Sequence, residues 1–154
     1  IPLRLVGSEM CIRDRPDTVD LADTLIMMGK KVLAPVLTDG HGRSLHEPAW
    51  AWYDSKNVRT GLWQIPEPIA PILPASAIDQ VEVVLCSALF VDRSGYRVGV
   101  GGGWYDRVLA HRADDVPVWA VVNDDEILDE VPHDPWDEPV TAALTPSGLH
   151  MLGQ

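Results

Sequence analysis

Arg97 to Arg107 hold the densest concentration of reactive and ligand-binding residue types in this 154-residue chain. Arg97 is followed by Gly99, Val100, Gly101, Gly102 and Gly103, then by Trp104, Tyr105, Asp106 and Arg107. Glycines at four of five positions remove Cβ atoms where a backbone must adopt positive φ or approach a ligand closely. The N–H groups of such a loop, running into an incipient helix, form a cradle for an anion. Arg97 can meet a phosphate bidentately, and Asp106 can hold Mg2+ beside phosphate oxygens. Trp104 and Tyr105 can wall a pocket. No Gly-Lys-Ser/Thr follows, so the loop is not a P-loop, and the third glycine of a dinucleotide fingerprint would fall at Trp104. Plainer readings stand beside this one. A glycine loop is about as often a tight structural turn, Asp106 can simply offset the helix dipole, and Arg107 can be a surface charge.

The other candidate residues read as structural. Cys86 sits inside an apolar run, as an inert core thiol does, and neither it nor Cys11 belongs to a CxxC or Cys/His metal pattern. His41 and His46 fall in turns, and His111 and His133 near element ends, as solvated imidazoles. Asp124-Asp125-Glu126, with Asp129-Glu130, reads as a solvated acidic face.

Alternating helix and strand signals must position the glycine loop. A helix runs from Asp17 and Thr18, both N-cap types, to Gly29, with Val19, Leu21, Leu25, Ile26 and Met28 as its apolar positions. KKVLAPVL, residues 30–37, reads as a short buried strand despite Pro35, and Asp39-Gly40 as a hairpin turn. Residues 46–75 carry five prolines and are expected to wrap the surface irregularly, anchored by Trp50, Trp52, Tyr53 and Trp63. VEVVLCSALFV, residues 81–91, reads as one strand buried on both faces. Asp92 to Gly95 form a turn, Trp104 to His111 open a helix, and residues 116–122 and 140–144 are further strands. This order predicts an α/β domain with a mainly parallel sheet.

Apolar residues make up 46% and charged residues 23%, the balance of an ordinary globular domain rather than a disordered chain. No apolar run approaches the ~20 residues of a membrane span. The formal charge of -11 opposes nucleic-acid backbones and anionic membranes. Any phosphate must therefore be gripped locally, by backbone N–H groups, a metal or a few arginines. The unpaired cysteines point to a reducing cytoplasm.

Residues 1–15 read as a non-native leader. There is no initiator Met, and Leu5 to Arg15, LVGSEMCIRDR, resembles a translated sequencing-library adaptor. Residues 16–154 are then the single natural domain.

The glycine segment resembles the signature of the 5-formyltetrahydrofolate cyclo-ligases (methenyltetrahydrofolate synthetases). Their pattern is an apolar strand ending in Asp, followed by G-x-R-L-G-x-G-x-G-[YW]-Y-D-R. Val84 to Asp92, Gly95, Arg97-Val98-Gly99, Gly101, Gly103 and Trp104-Tyr105-Asp106-Arg107 match it. Residues 17–37, Trp50 to Tyr53, Ile65 to Pro68 and Val131 to Leu149 resemble other family segments in the right order. The resemblance implies a Rossmann-like three-layer fold with a mainly parallel sheet, of the sugar-isomerase and CoA-transferase type. It implies ATP- and Mg2+-dependent closure of 5-formyltetrahydrofolate, polyglutamylated or not, by a cytoplasmic monomer with no nucleic-acid or membrane partner. Carried over, Arg97 and Tyr105 are catalytic, and Arg97 with Gly99 to Tyr105 cradles ATP. Val100 to Trp104 border the folate, and Asp106 and Asp137 hold the metal.

Some positions depart from the family. Thr141 stands at a second metal-binding acid, Trp136 replaces the His of the tail's H-D pair, Asp134 replaces Glu, and Ser87 stands where the strand usually carries Pro. The family's basic N-terminal helix is absent, and its folate-contacting Glu falls on Arg15. A nucleotide-binding module without turnover is the rival reading. A sugar-phosphate isomerase is weaker still, since the Gly-Trp-Tyr-Asp loop argues against chemistry without ATP. A protein carrying the family's N-terminal helix and Glu should bind ATP more tightly and turn over faster than the 154-residue chain. Equal turnover of the two would refute a contribution of that helix and Glu to catalysis.

Overall fold

The computed structural model of the chain describes residues 18–61, 66–99 and 103–154. The leader, Asp17, Trp63, Val100, Gly101 and Gly102 lie outside them. The first helix, Thr18–Met27, turns Leu21, Ala22 and Leu25 toward the core. It stops as its sequence requires. Gly29 adopts φ +82°, and the N–H groups of Gly29 and Lys30 donate to the carbonyls of Ile26 and Leu25 at 2.9 Å, a Schellman closure.

Strand β1, Leu33–Thr38, is buried throughout. It is the edge strand of a three-stranded sheet, so the N–H missing at Pro35 need cost no ladder bond. The expected hairpin follows. The Asp39 carboxylate accepts from the N–H groups of His41 (2.8 Å) and Arg43 (3.0 Å), although the positive φ falls at Gly42 rather than Gly40.

The segment expected to be irregular is instead built of strands: β2 (Ser44–Trp52), β3 (Val58–Thr60), β4 (Pro66–Pro68) and β5 (Leu73–Pro74). Its prolines sit where a ladder can lose a donor. β4 pairs with β3 alone, β5 is an edge, and Pro48 lies within the register shift opposite Val36 and Thr38. His46 therefore lies in β2, not in a turn. Trp50 and Tyr53 are core anchors, whereas Trp52 is half-exposed beneath the Lys31 ammonium. Glu67 of β4 is fully buried. It accepts from the Leu37 N–H (2.9 Å) and the Thr38 hydroxyl (2.7 Å) and faces Arg59 at 3.5 Å, which locks β4 onto β1. A Cβ at Gly61 would strike that carboxyl.

The run 81–91 divides into β6 (Val84–Ser87) and β7 (Phe90–Asp92), which belong to different sheets. Phe90 is exposed, so the run is not covered on both faces along its length. β7 lies between β8 (Arg97–Val98) and β10 (Ile127–Leu128). β6, β9 (Val118–Val121) and β11 (Ala142–Thr145) form the expected parallel set, with β12 (Gly148–Met151) added antiparallel. Alternation along these strands serves two faces. Val84, Cys86, Val118, Ala120 and Ala143 join the cluster containing the short helix Trp104–Leu109. Leu85, Trp119, Val121 and Leu144 join the cluster containing the first helix. The fold is thus mixed α/β. The expected mainly parallel, Rossmann-like sheet is not what the fold has: β6, β9 and β11 pair in parallel, but most other pairings are antiparallel, so the sheets are mixed. Among the described residues, no helix is long and apolar enough to cross a membrane.

Asp124 does more than solvate a surface. Its carboxylate accepts from the hydroxyls of Ser147 and Thr145, and the His150 ring nitrogen Nε2 lies 3.8 Å away. These contacts tie the turn after β9 to the β11–β12 hairpin. The Ser147 and Thr145 hydroxyls hold the Asp124 carboxyl below its usual range. A depressed carboxyl contributes stability above its unfolded pKa and loses it as pH falls through the folded value. Asp124→Asn should therefore lower the thermal midpoint at pH 7, with the gap to the parent closing below about pH 4. An equal gap at pH 3 and pH 7 would contradict this clasp.

Candidate active site

The site grows from the end of β7. Asp92 is buried, and its carboxylate accepts from the N–H groups of Ser94 (2.9 Å), Tyr96 (3.0 Å) and Val131 (3.1 Å). One side chain thus shapes the expected turn and ties down a strap comprising residues 131–140. Gly95 in that turn has φ +96°, and a Cβ there would collide with the Val140 carbonyl, so only glycine fits. The Val140 N–H donates to the Gly95 carbonyl at 2.8 Å.

The turn delivers Arg97 into the interior. Its side chain is 7% exposed. Nη1 donates to the Glu138 carbonyl and Nη2 to Asp106 Oδ1, each at 2.8 Å. Burial works against the charge, but Cys86, Asp106 and Tyr105 outweigh it and raise the guanidinium pKa above its ordinary value. Glu138 is held a second time, through its carboxylate, 3.7 Å from Arg112.

Asp106 faces outward because of the helix that carries it. Trp104, Tyr105, Val108 and Leu109 are buried on one face, and Asp106 and Arg107 fall on the other. Trp104 packs edge-on against Trp50 at 5.1 Å and Tyr105 at 5.0 Å. Gly103 precedes the helix with φ +61°. The Asp106 side chain is 41% exposed, so one carboxylate oxygen is fixed by Arg97 while the group still meets solvent.

The expected site residues divide into groups. Arg97, Gly103, Trp104, Tyr105 and Asp106 come together, and Asp137 lies next to the Glu138 carbonyl that Arg97 holds. Gly99 is exposed, and among the described residues nothing lies within 4 Å of where its Cβ would stand. The expected wall of Trp104 and Tyr105 side chains is in fact core packing. Burial also pushes the Tyr105 phenol well above its usual range, against hydrogen bonds from Ser87. It is a neutral anchor at accessible pH. Cys86 is likewise buried, with its thiol pushed up by burial, as the inert-core reading expected. Asp137 spends one oxygen on the Asp134 N–H at 2.7 Å. Among the described residues, no three His, Cys, Asp or Glu side chains converge on a metal site.

Sequence reading placed Asp92 in the turn but missed its hold on the strap through Val131, and it missed Glu138 as a clamp. The Glu138 contact runs through a backbone carbonyl, which no residue type announces. His133 also gains a role, stacking on Tyr96 with centroids 3.6 Å apart.

The family model described as the 5-formyltetrahydrofolate cyclo-ligase family matches residues 8–146, beginning inside the stretch read as leader. A 5-formyltetrahydrofolate cyclo-ligase of Mycolicibacterium smegmatis is 39% identical over 148 residues, spanning 94% of this chain and 76% of that protein. The Escherichia coli enzyme of the same name is 31% identical over 135 residues, or 85% and 71%. The NMR structure of Aquifex aeolicus 5,10-methenyltetrahydrofolate synthetase shares the fold. It superposes with a TM-score of 0.72 at 20% identity, covering 99% of this chain and 70% of that one.

Removing Asp106 strands a buried guanidinium. Asp106→Ala should cost about 1–3 kcal/mol, less than a fully buried pair because water reaches the site, and Asp106→Asn should cost less. Urea denaturation measures both. An Asp106→Ala variant as stable as the parent would show that Arg97 does not need its partner.

Proposed function

Because the chain belongs to the 5-formyltetrahydrofolate cyclo-ligase family, we propose that it closes 5-formyltetrahydrofolate to 5,10-methenyltetrahydrofolate in the cytoplasm, consuming ATP with Mg2+ as its ion. The observation that carries this reading is the Arg97–Asp106 pair, which fixes a half-exposed carboxylate at the end of the glycine loop.

The oxygen of an N-formyl group is a poor leaving group. Transfer of the ATP γ-phosphoryl to that oxygen, with ADP released, corrects this. Folate nitrogen N10 then attacks the activated carbon, the carbon–oxygen bond breaks, and phosphate departs with the oxygen as N10 loses its proton. Such a reaction asks a protein mainly for positioning and charge neutralisation. The backbone from Gly99 to Tyr105 cradles the phosphates, and Val100 to Trp104 border the folate. Arg97 acts as a positioning residue: it orients Asp106 and secures the strap beside it. Tyr105 and Trp104 hold the helix in place through the core.

The donor set suits Mg2+. Asp106 and Asp137 offer hard carboxylate oxygens, and the lack of a three-ligand protein cage among the described residues matches an ion that keeps waters and takes phosphate oxygens. When bound, Mg2+ would neutralise charge on the transferred phosphoryl group.

Methenyltetrahydrofolate absorbance should appear only when ATP and Mg2+ are both present, and Asp106→Asn should reduce its rate at least about tenfold. Product without ATP, or an undiminished rate in the folded variant, would overturn the proposal. Nucleotide-dependent stabilisation with no product would instead identify a binding module.

A further inference from the structure

The strap from Val131 to Val140 is pinned along its length. Val131 is held by Asp92, His133 stacks on Tyr96, Glu138 is held by Arg97 and Arg112, and Val140 is held by Gly95. Between these pins the chain makes a closed turn. The Asp137 N–H donates to the Asp134 carbonyl at 3.0 Å, and the Asp134 N–H to the Asp137 carboxylate at 2.7 Å. Pro135 stiffens the turn further. Trp136 projects from it, 74% exposed. Trp50 and Trp104, by contrast, are buried in the core.

A lone exposed indole on a mobile loop would need no explanation. Here the backbone is already ordered, so ring contact would cost little further entropy. The position matters too. Trp136 is two residues, at most about 7 Å of chain, from the Glu138 residue whose carbonyl Arg97 holds while also holding Asp106. Its neighbour Asp134 carries a carboxylate that can accept a hydrogen bond from a ring amino group.

We propose that Trp136 is a stacking platform for an amino-bearing heteroaromatic ring bound at the Arg97–Asp106 site, either the adenine of the nucleotide or the pterin of the folate. This rests on the functional reading above. The indole face supplies contact, and the Asp134 carboxylate orients the ring edge.

The test compares the parent with Trp136→Ala and Trp136→Phe, titrating ATP alone and 5-formyltetrahydrofolate alone by calorimetry, then measuring KM and kcat for each. Trp136→Ala should weaken one of the two ligands about tenfold in Kd and KM, with a much smaller change in kcat. Trp136→Phe should recover most of the loss. Which ligand responds identifies the ring. The thermal midpoint should not move, since the side chain is 74% exposed. Unchanged Kd for both ligands, or equal loss in the Phe and Ala variants, would overturn the platform. Absence of product from a parent protein that still binds ATP through Trp136 would instead count against the ligase reading alone.

Discussion

A guanidinium that is 93% withdrawn from water has to find its hydrogen-bond acceptors inside the protein. Arg97 finds two, the Asp106 carboxylate and the Glu138 carbonyl, and they come from segments distant in sequence. One buried charge therefore fixes the start of a helix and the course of a strap relative to each other. Were either acceptor to drift, the arginine would be left with an unmatched donor, which costs far more than a surface contact gains.

The rest of the fold serves that constraint. Asp92 and Gly95 bend the chain so that Arg97 enters the interior, and both make the strap part of the same turn. Buried aromatics and aliphatics on one face of the Trp104–Leu109 helix leave Asp106 no direction but outward. The parallel strands β6, β9 and β11 supply the floor on which that helix rests, and the first helix covers their other side. The outcome is a carboxylate at the protein surface with its position set from within.

Much of this was legible from the amino acids. The glycine segment, the two helices, the parallel core strands and the turn after β1 all announced themselves through periodicity and turn residues. Residues 46–75 misled because prolines usually break strands, and sequence alone does not reveal which strands will lie at edges. The run 81–91 misled because apolar content cannot show where a strand changes sheets. Arg97 pointed to phosphate by residue type, yet its burial turns it to structure, and its second acceptor is a carbonyl that any residue would provide. Glu67 was invisible as a lock because its hydrogen-bond partners Leu37 and Thr38 lie 30 and 29 residues away.

The central claim is that nucleotide binds at the glycine loop and Asp106. Mapping amide chemical shifts during titration with ATP and Mg2+ tests it most directly. The account predicts that the largest changes run from Gly99 to Arg107 and spread to the strap at residues 134–138. Changes confined to the cavity of about 350 Å3 lined by Arg93, Ile127, His150, Met151, Leu152 and Gln154, with the glycine loop silent, would contradict it.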